Sequence, residues 1–278
     1  MRRVFLAILM ALPLFSAPLT FPDECIRSLA RFYPNILADN KRVNGAYSDA
    51  TTERAAVIDQ WTLQTSKIFH KFVLPLLPTT LPAGGMRILD VGPGFGLYDI
   101  LVSKHFGHKA QITLFDQLDK TTETEFSSKR VDGWHPDVKA MPFYRTDLAC
   151  AKRIALANGV PDENYRLLNA TAPNLAALAG SLDLIYSHTS LGFHYPLRTY
   201  AAAAFAALRP GGRLVVTACA GRAVRTTTED GTAFGGAKQL KVDQHVTEGT
   251  RAGFTCTSSR AGYSCQGKCA ILTCVKPL

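Results

Sequence analysis

The chain has 278 residues, 47% of them hydrophobic and 19% charged, which is ample apolar material for a core and rules out a chain disordered by composition. That length suits one α/β domain with an extension and requires no second full domain. The formal net charge is +9, but the excess is spread along the sequence with no block of like charge and no basic stripe interleaved with aromatics, which argues against a nucleic-acid surface.

At the N-terminus, Arg2 and Arg3 precede an apolar run from Val4 to Phe15, followed by Ser16 and Ala17. A charged start, an apolar stretch of secretory length and small residues after it form a signal-like pattern. The run is too short to span a bilayer comfortably, and Pro18 sits awkwardly just after the best cleavage point. Residues 1–20 therefore read either as a signal or targeting segment or as an apolar helix, with weak membrane association through residues 4–15 as one consequence. Residues 21–80 read as a helical cap. Within it Ala56, Ile58, Trp61, Leu63, Ile68, Phe69, Phe72 and Leu76 recur mostly at three- and four-residue spacing, and Pro78, Pro82, Gly84 and Gly85 end the pattern.

From residue 81 to 278 strands and helices alternate. Strands are predicted at Met86–Val91, Gln111–Phe115, Tyr165–Asn169, Leu182–Tyr186 and Arg213–Ala218. Helices are predicted at Leu97–Phe106, Arg145–Asn158, Leu175–Ala179, Tyr200–Leu208 and Ala237–Ala252, with β-prone Phe254–Ser258 and Ala270–Val275 closing the chain. The alternation predicts an α/β fold, a doubly wound and mainly parallel sheet, and the closing hairpin makes its last strand antiparallel.

The strongest chemical signal is Ile88-Leu89-Asp90-Val91-Gly92-Pro93-Gly94-Phe95-Gly96, an apolar strand entering a turn with glycines at alternate positions before a helix. Such glycines let a ligand approach the main chain closely. Dinucleotide sites use Gly-x-Gly-x-x-Gly, with the pyrophosphate on the helix dipole. Here the spacing is Gly-x-Gly-x-Gly, headed by an acid that suits a cationic amine, as in S-adenosylmethionine (SAM), better than a phosphate. Asp116 ends the next strand, where a carboxylate can accept both ribose hydroxyl hydrogens. Gln117 beside it is a further cofactor candidate.

Taken together in this order, the segments resemble the class I SAM-dependent methyltransferases over about residues 86–278. The resemblance implies a seven-stranded Rossmann-like sheet and SAM as cofactor. Asp90 to Gly96 resembles the family's first motif, with Asp90, Gly92, Gly94 and Gly96 as cofactor residues. By the same resemblance the Asn169 side chain meets the adenine amino group, the Ala170 backbone lies near the ring, and the fourth strand, Leu182 to Ser187, ends facing the methyl group, with Ser187 as a further cofactor residue. Leu208-Arg209-Pro210-Gly211-Gly212 resembles the turn into the fifth strand. Where base-methylating enzymes carry Asp/Asn-Pro-Pro-Tyr/Phe, this chain reads Ser187-His188-Thr189-Ser190, so nucleic acid is disfavoured as substrate. The double-glutamate segment of protein arginine methyltransferases and the carboxylate cluster of the metal-dependent type are missing too, and no metal is expected.

The expectation is an enzyme that methylates a small molecule, with oxygen the favoured acceptor atom. His194, and after it His188, follow the strand whose end should face the methyl, and a histidine can take a hydroxyl proton there. Residues 117–144, with Trp134-His135-Pro136, and residues 219–236 emerge at the ligand-binding edge of such a sheet. The alternatives are a SAM-binding protein without turnover and an NAD(P)-dependent oxidoreductase. Of the seven cysteines, four crowd the last strands. Free buried thiols are expected there, with one disulfide within that pair as the alternative. The sequon Asn169-Ala170-Thr171 coincides with the predicted adenine site, so a glycan would block it. That favours a cytoplasmic location, with an organelle or the secretory route as alternative.

Overall fold

The structure, a computed structural model, describes residues 19–26, 58–59, 62–63, 65–67, 69–74, 77–79, 81–82, 84–116, 148–169, 172–188, 197–219, 226–227, 233–234, 242–260 and 269–278. The apolar N-terminal run, Gln117, Ala170, His194, the Trp134 corner and most of the 219–236 loop lie outside the described residues.

One seven-stranded sheet organises the described chain. Its strands are β1 (Met86–Val91), β2 (Ala110–Asp116), β3 (Tyr165–Asn169), β4 (Leu182–His188), β5 (Leu208–Cys219), β8 (Thr255–Arg260) and β9 (Cys269–Val275). Two-residue strands β6 (Thr226–Thr227) and β7 (Ala233–Phe234) form a separate antiparallel ribbon within the glycine- and threonine-rich loop. The order is β3-β2-β1-β4-β5-β9-β8, with β1 to β5 parallel and β9 antiparallel to both neighbours. The chain starts in the middle, winds out to β3, then returns to β1's other side at β4. The carboxyl ends of β1 and β4 therefore flank the point where the winding reverses, which is where ligands bind in open α/β sheets.

Strand β1 is buried at every position but Arg87, because helices cover both faces. Alternating side chains sort into two cores. Ile88, Ile112, Leu114, Tyr165, Leu184, Tyr186 and Val215 pack against α1 (Leu97–His105) and α2 (Leu148–Ala157). Leu89, Phe115, Ile185, Leu214, Val216 and Leu272 pack on the other side with α4 (Arg198–Ala207) and Phe254. A short α3 (Ala172–Ala176) and α5 (Val242–Arg251) complete the helices.

The predicted doubly wound sheet holds, with shifted edges. Strand β4 runs on to His188, and β5 begins at Leu208, where it pairs with Leu182 before a register irregularity. The short helix starts three residues early, at Ala172 rather than Leu175. The cap contributes a π-helical turn, Phe69–Val73, whose Phe69 and Val73 join the first core with Leu77.

The cysteines overturn the free-thiol expectation. Cys256 and Cys274 are register partners across β8 and β9 and form a disulfide, as the alternative had it. A second disulfide, Cys25–Cys150, was not foreseen from the sequence. It joins residues 19–26 to α2, helped by Asn158, which bonds both the N–H and the carbonyl of Thr20, and by an Arg153–Glu24 ion pair. Leu19 and Phe21 are buried beside it.

Candidate functional site

The turn after β1 is built by its glycines. Gly92, Gly94 and Gly96 have φ of 69°, 60° and 63°, the left-handed region that glycine enters without penalty. The Gly92 N–H donates to the Phe115 carbonyl at 3.0 Å, which ties the turn to the end of β2. Gly96 caps α1, and a Cβ there would collide with the Tyr165 hydroxyl. Glycine is thus demanded at 96 twice, by conformation and by space.

Asp116 closes β2 and is 6% exposed, in register with Asn169 at the end of β3. The Asn169 carbonyl accepts from Asn174 Nδ2 at 2.9 Å, which fixes the turn into α3. Asp90, Gly92, Gly94, Gly96, Asp116 and Asn169 therefore stand at the neighbouring carboxyl ends of β1, β2 and β3. Ser187 is close by, but its hydroxyl donates to the Val91 carbonyl at 2.8 Å, tying β4 to β1.

Beneath the turn lies a polar cluster that sequence reasoning missed. Asp90 is 2% exposed and Asp99, on α1, is fully buried. The Tyr186 hydroxyl of β4 donates to Asp99 Oδ1, and the Tyr165 hydroxyl donates to the Gly96 carbonyl at 3.5 Å. Burial raises both carboxyls, Asp99 to about 7, and the nearness of Asp99 raises Asp90 further. Tyr165 and Tyr186 are pushed up by burial and then by the two acids, and stay protonated donors. The available signal was Asp99 itself, an acid within a helix whose neighbouring residues Leu97, Ile100, Leu101 and Val102 are apolar and buried.

His188 ends β4 opposite Thr217 of β5. Its ring meets Tyr98 of α1 edge-on, with centroids 5.0 Å apart, and burial lowers its pKa to about 4, so the imidazole is neutral at physiological pH. It borders a cleft walled by Val73, Leu77, Leu184, Tyr186 and Val215, the first two from the cap. Of the two predicted histidines, only this one is placed.

No family model matches the sequence, and no curated protein is significantly similar to it. The fold does match solved structures. The [4+2]-cyclase SpnF is 16% identical with a TM-score of 0.50, over 94% of this chain and 98% of that one. Phosphoethanolamine N-methyltransferase 2 of Haemonchus contortus, solved with S-adenosylhomocysteine, is 14% identical with a TM-score of 0.48, over 78% of this chain and 53% of that one. This chain thus spans about half the length of that enzyme. A Burkholderia thailandensis 1,6-didemethyltoxoflavin N1-methyltransferase is 16% identical with a TM-score of 0.45, over 95% and 94% of the two chains. The strand order and the antiparallel β9 are those of the class I SAM-dependent methyltransferase fold, and that is the fold of this chain. A cyclase on the same fold shows that fold alone does not name the reaction.

Proposed function

We propose that the chain binds SAM at the carboxyl ends of β1 to β3 and methylates a small molecule, at oxygen. One observation carries the reading: a glycine turn of alternate left-handed residues stands between buried Asp90 and buried Asp116, in register with Asn169. The set fits the cofactor's parts. Open backbone at Gly92 to Gly96 receives the amino-acid end, Asp116 the ribose hydroxyls and Asn169 the adenine, with Gln117 and Ala170 as further contacts. When bound, SAM supplies a methyl group on a sulfonium, already a good leaving group, so alignment of the acceptor carries much of the rate. The acceptor is placed on the β4 side, where Val73 and Leu77 of the cap face Leu184, Tyr186, Ser187 and His188. Residues 21–80 act as its cap. His194 is the proposed base, with His188 second, and Ser187 holds β4 against β1.

Among the described residues no helix is long and apolar enough to cross a membrane. For location, the two disulfides favour the alternative to the cytoplasm, passage through an oxidising compartment.

Calorimetric titration with SAM, S-adenosylhomocysteine and NAD(H) tests the cofactor assignment. Both adenosyl compounds should bind and NAD(H) should not. Asp116→Ala should weaken them about 10- to 100-fold, the worth of one or two charge-assisted hydrogen bonds. Binding of NAD(H) alone would replace the reading with the oxidoreductase, and SAM binding without turnover on a broad acceptor panel would favour the binding protein.

A further inference from the structure

We propose that Asp90 and Asp99 act as one unit sharing a proton under the clamp of Tyr186, and that Asp99 is thereby a positioning residue for the cationic amino-acid end of the cofactor. The inference rests on the S-adenosyl reading above and adds what the glycine turn does not supply, a titratable negative charge beneath it.

The geometry starts from two orphaned atoms. Taken as carboxylates, Asp90 Oδ1 and Asp99 Oδ2 find no donor among the described residues. The two carboxyls are nonetheless within hydrogen-bond reach of each other. One proton between them gives both atoms a partner, because a protonated carboxyl donates and its ionised neighbour accepts. Tyr186 occupies the other oxygen of Asp99, which turns the free edge of that carboxyl toward Asp90.

Among the described residues the groups acting on the pair are acids or phenols: Asp116 of β2, Tyr165 of β3 and Tyr186 of β4. None of these three supplies a positive charge to offset that of the pair. Two buried carboxyls so close cannot both ionise readily, and they titrate as a unit. As pH rises through about 7 the unit passes from neutral to singly charged, and the second proton is retained. An ammonium arriving at the turn favours the charged form, so binding expels a proton below that pH.

The test is the pH dependence of S-adenosylhomocysteine affinity in the full chain between pH 5.5 and 7.5, read by calorimetry. The ligand's own α-amine titrates only at about 8, above this window. Wild type is expected to gain about tenfold in affinity per unit of pH at the steepest, the limit for one linked proton. Asp99→Asn should lose the slope, since its amide donates to Asp90 permanently. 5′-Methylthioadenosine, which lacks the amino-acid end, should show none with wild type. A flat wild-type profile, or an equal slope in Asp99→Asn, overturns the inference while leaving the cofactor reading intact. Absence of adenosyl binding at every pH overturns the cofactor reading instead. In that case the infrared carbonyl stretch of a protonated buried carboxyl still decides on the shared proton: present in wild type and lost in Asp99→Asn, it upholds the pair; absent in wild type, it removes it.

Discussion

The two sides of the crevice are built on different principles. On the β1 side the backbone is fixed by left-handed glycines, and Asp90, Asp99, Asp116 and Tyr165 are buried around them, with the Tyr186 hydroxyl reaching in from β4. On the β4 side aliphatic Leu184 and Val215 stand beside Ser187, Thr217 and a His188 held neutral, and one wall is borrowed from the cap through Val73 and Leu77. A constant ligand part can be met by groups locked in place, whereas a particular acceptor needs a shape that varies with little disturbance to the sheet. The first side is rigid because its glycines fix the backbone and its desolvated polar groups must keep the hydrogen bonds they have. The second is held by packing, while elsewhere residues 19–26 are tied covalently to α2.

That tie offers the largest expected effect. Cys25–Cys150 closes a loop with a sequence separation of 125, against 18 for Cys256–Cys274. On the chain-entropy account the long loop is worth about 4–5 kcal/mol and the short one about 3 kcal/mol. Replacing Cys25 and Cys150 by serine should therefore lower unfolding stability more than replacing Cys256 and Cys274, as measured in urea without reductant. Equal losses would mean that residues 19–26 stay docked through Leu19, Phe21 and Asn158 alone. Alkylation of the unreduced, denatured chain should mark no more than three of its seven cysteines, since two bridges hold four.

Gly96→Ala should cost about 2–4 kcal/mol, combining left-handed strain with overpacking against Tyr165. It should also abolish adenosyl binding. Gly107→Ala is the control: its φ is 57°, but a Cβ there meets nothing within 4 Å, so only the strain remains. If the two variants were equally stable, the Tyr165 contact would not constrain the turn, and the contrast between a locked side and an adaptable one would weaken.

The locked side was largely legible in the sequence, and the reason is local. Glycines at alternate positions after an apolar strand, and an acid ending the next strand, are short-range patterns with a direct backbone meaning. Strand β1 was bounded correctly at Met86 and Val91 because a mainly apolar run ends at the first glycine of the turn. Asp99 was not recognised because its partners come from elsewhere in the chain: Tyr186 lies on β4 and Tyr165 on β3. Cys25–Cys150 escaped for the same reason, since nothing near Cys25 marks a partner so far along the chain. The start of β5 was placed too late because Arg209-Pro210-Gly211-Gly212 reads as a turn, whereas Gly211 and Gly212 pair with Lys276 through backbone hydrogen bonds and carry the edge onward.

The smallest expected effect concerns the adaptable side. Burial that lowers His188 to about 4 also makes it a weak base, because a group that resists protonation accepts a proton poorly in the transition state. Measured as kcat with saturating cofactor, which removes the titration of the Asp90–Asp99 pair from the free enzyme, an acidic limb near pH 6.5 would point to a base other than His188, the role proposed for His194. His194→Ala should then lower kcat about 100-fold or more and erase that limb. His188→Ala should lower kcat less than about tenfold, through lost packing on Tyr98 rather than lost proton transfer. An acidic limb near pH 4 that vanishes in His188→Ala would reverse the assignment and make the wall residue the base, so that the β4 side, too, would hold a buried polar group locked for its chemistry.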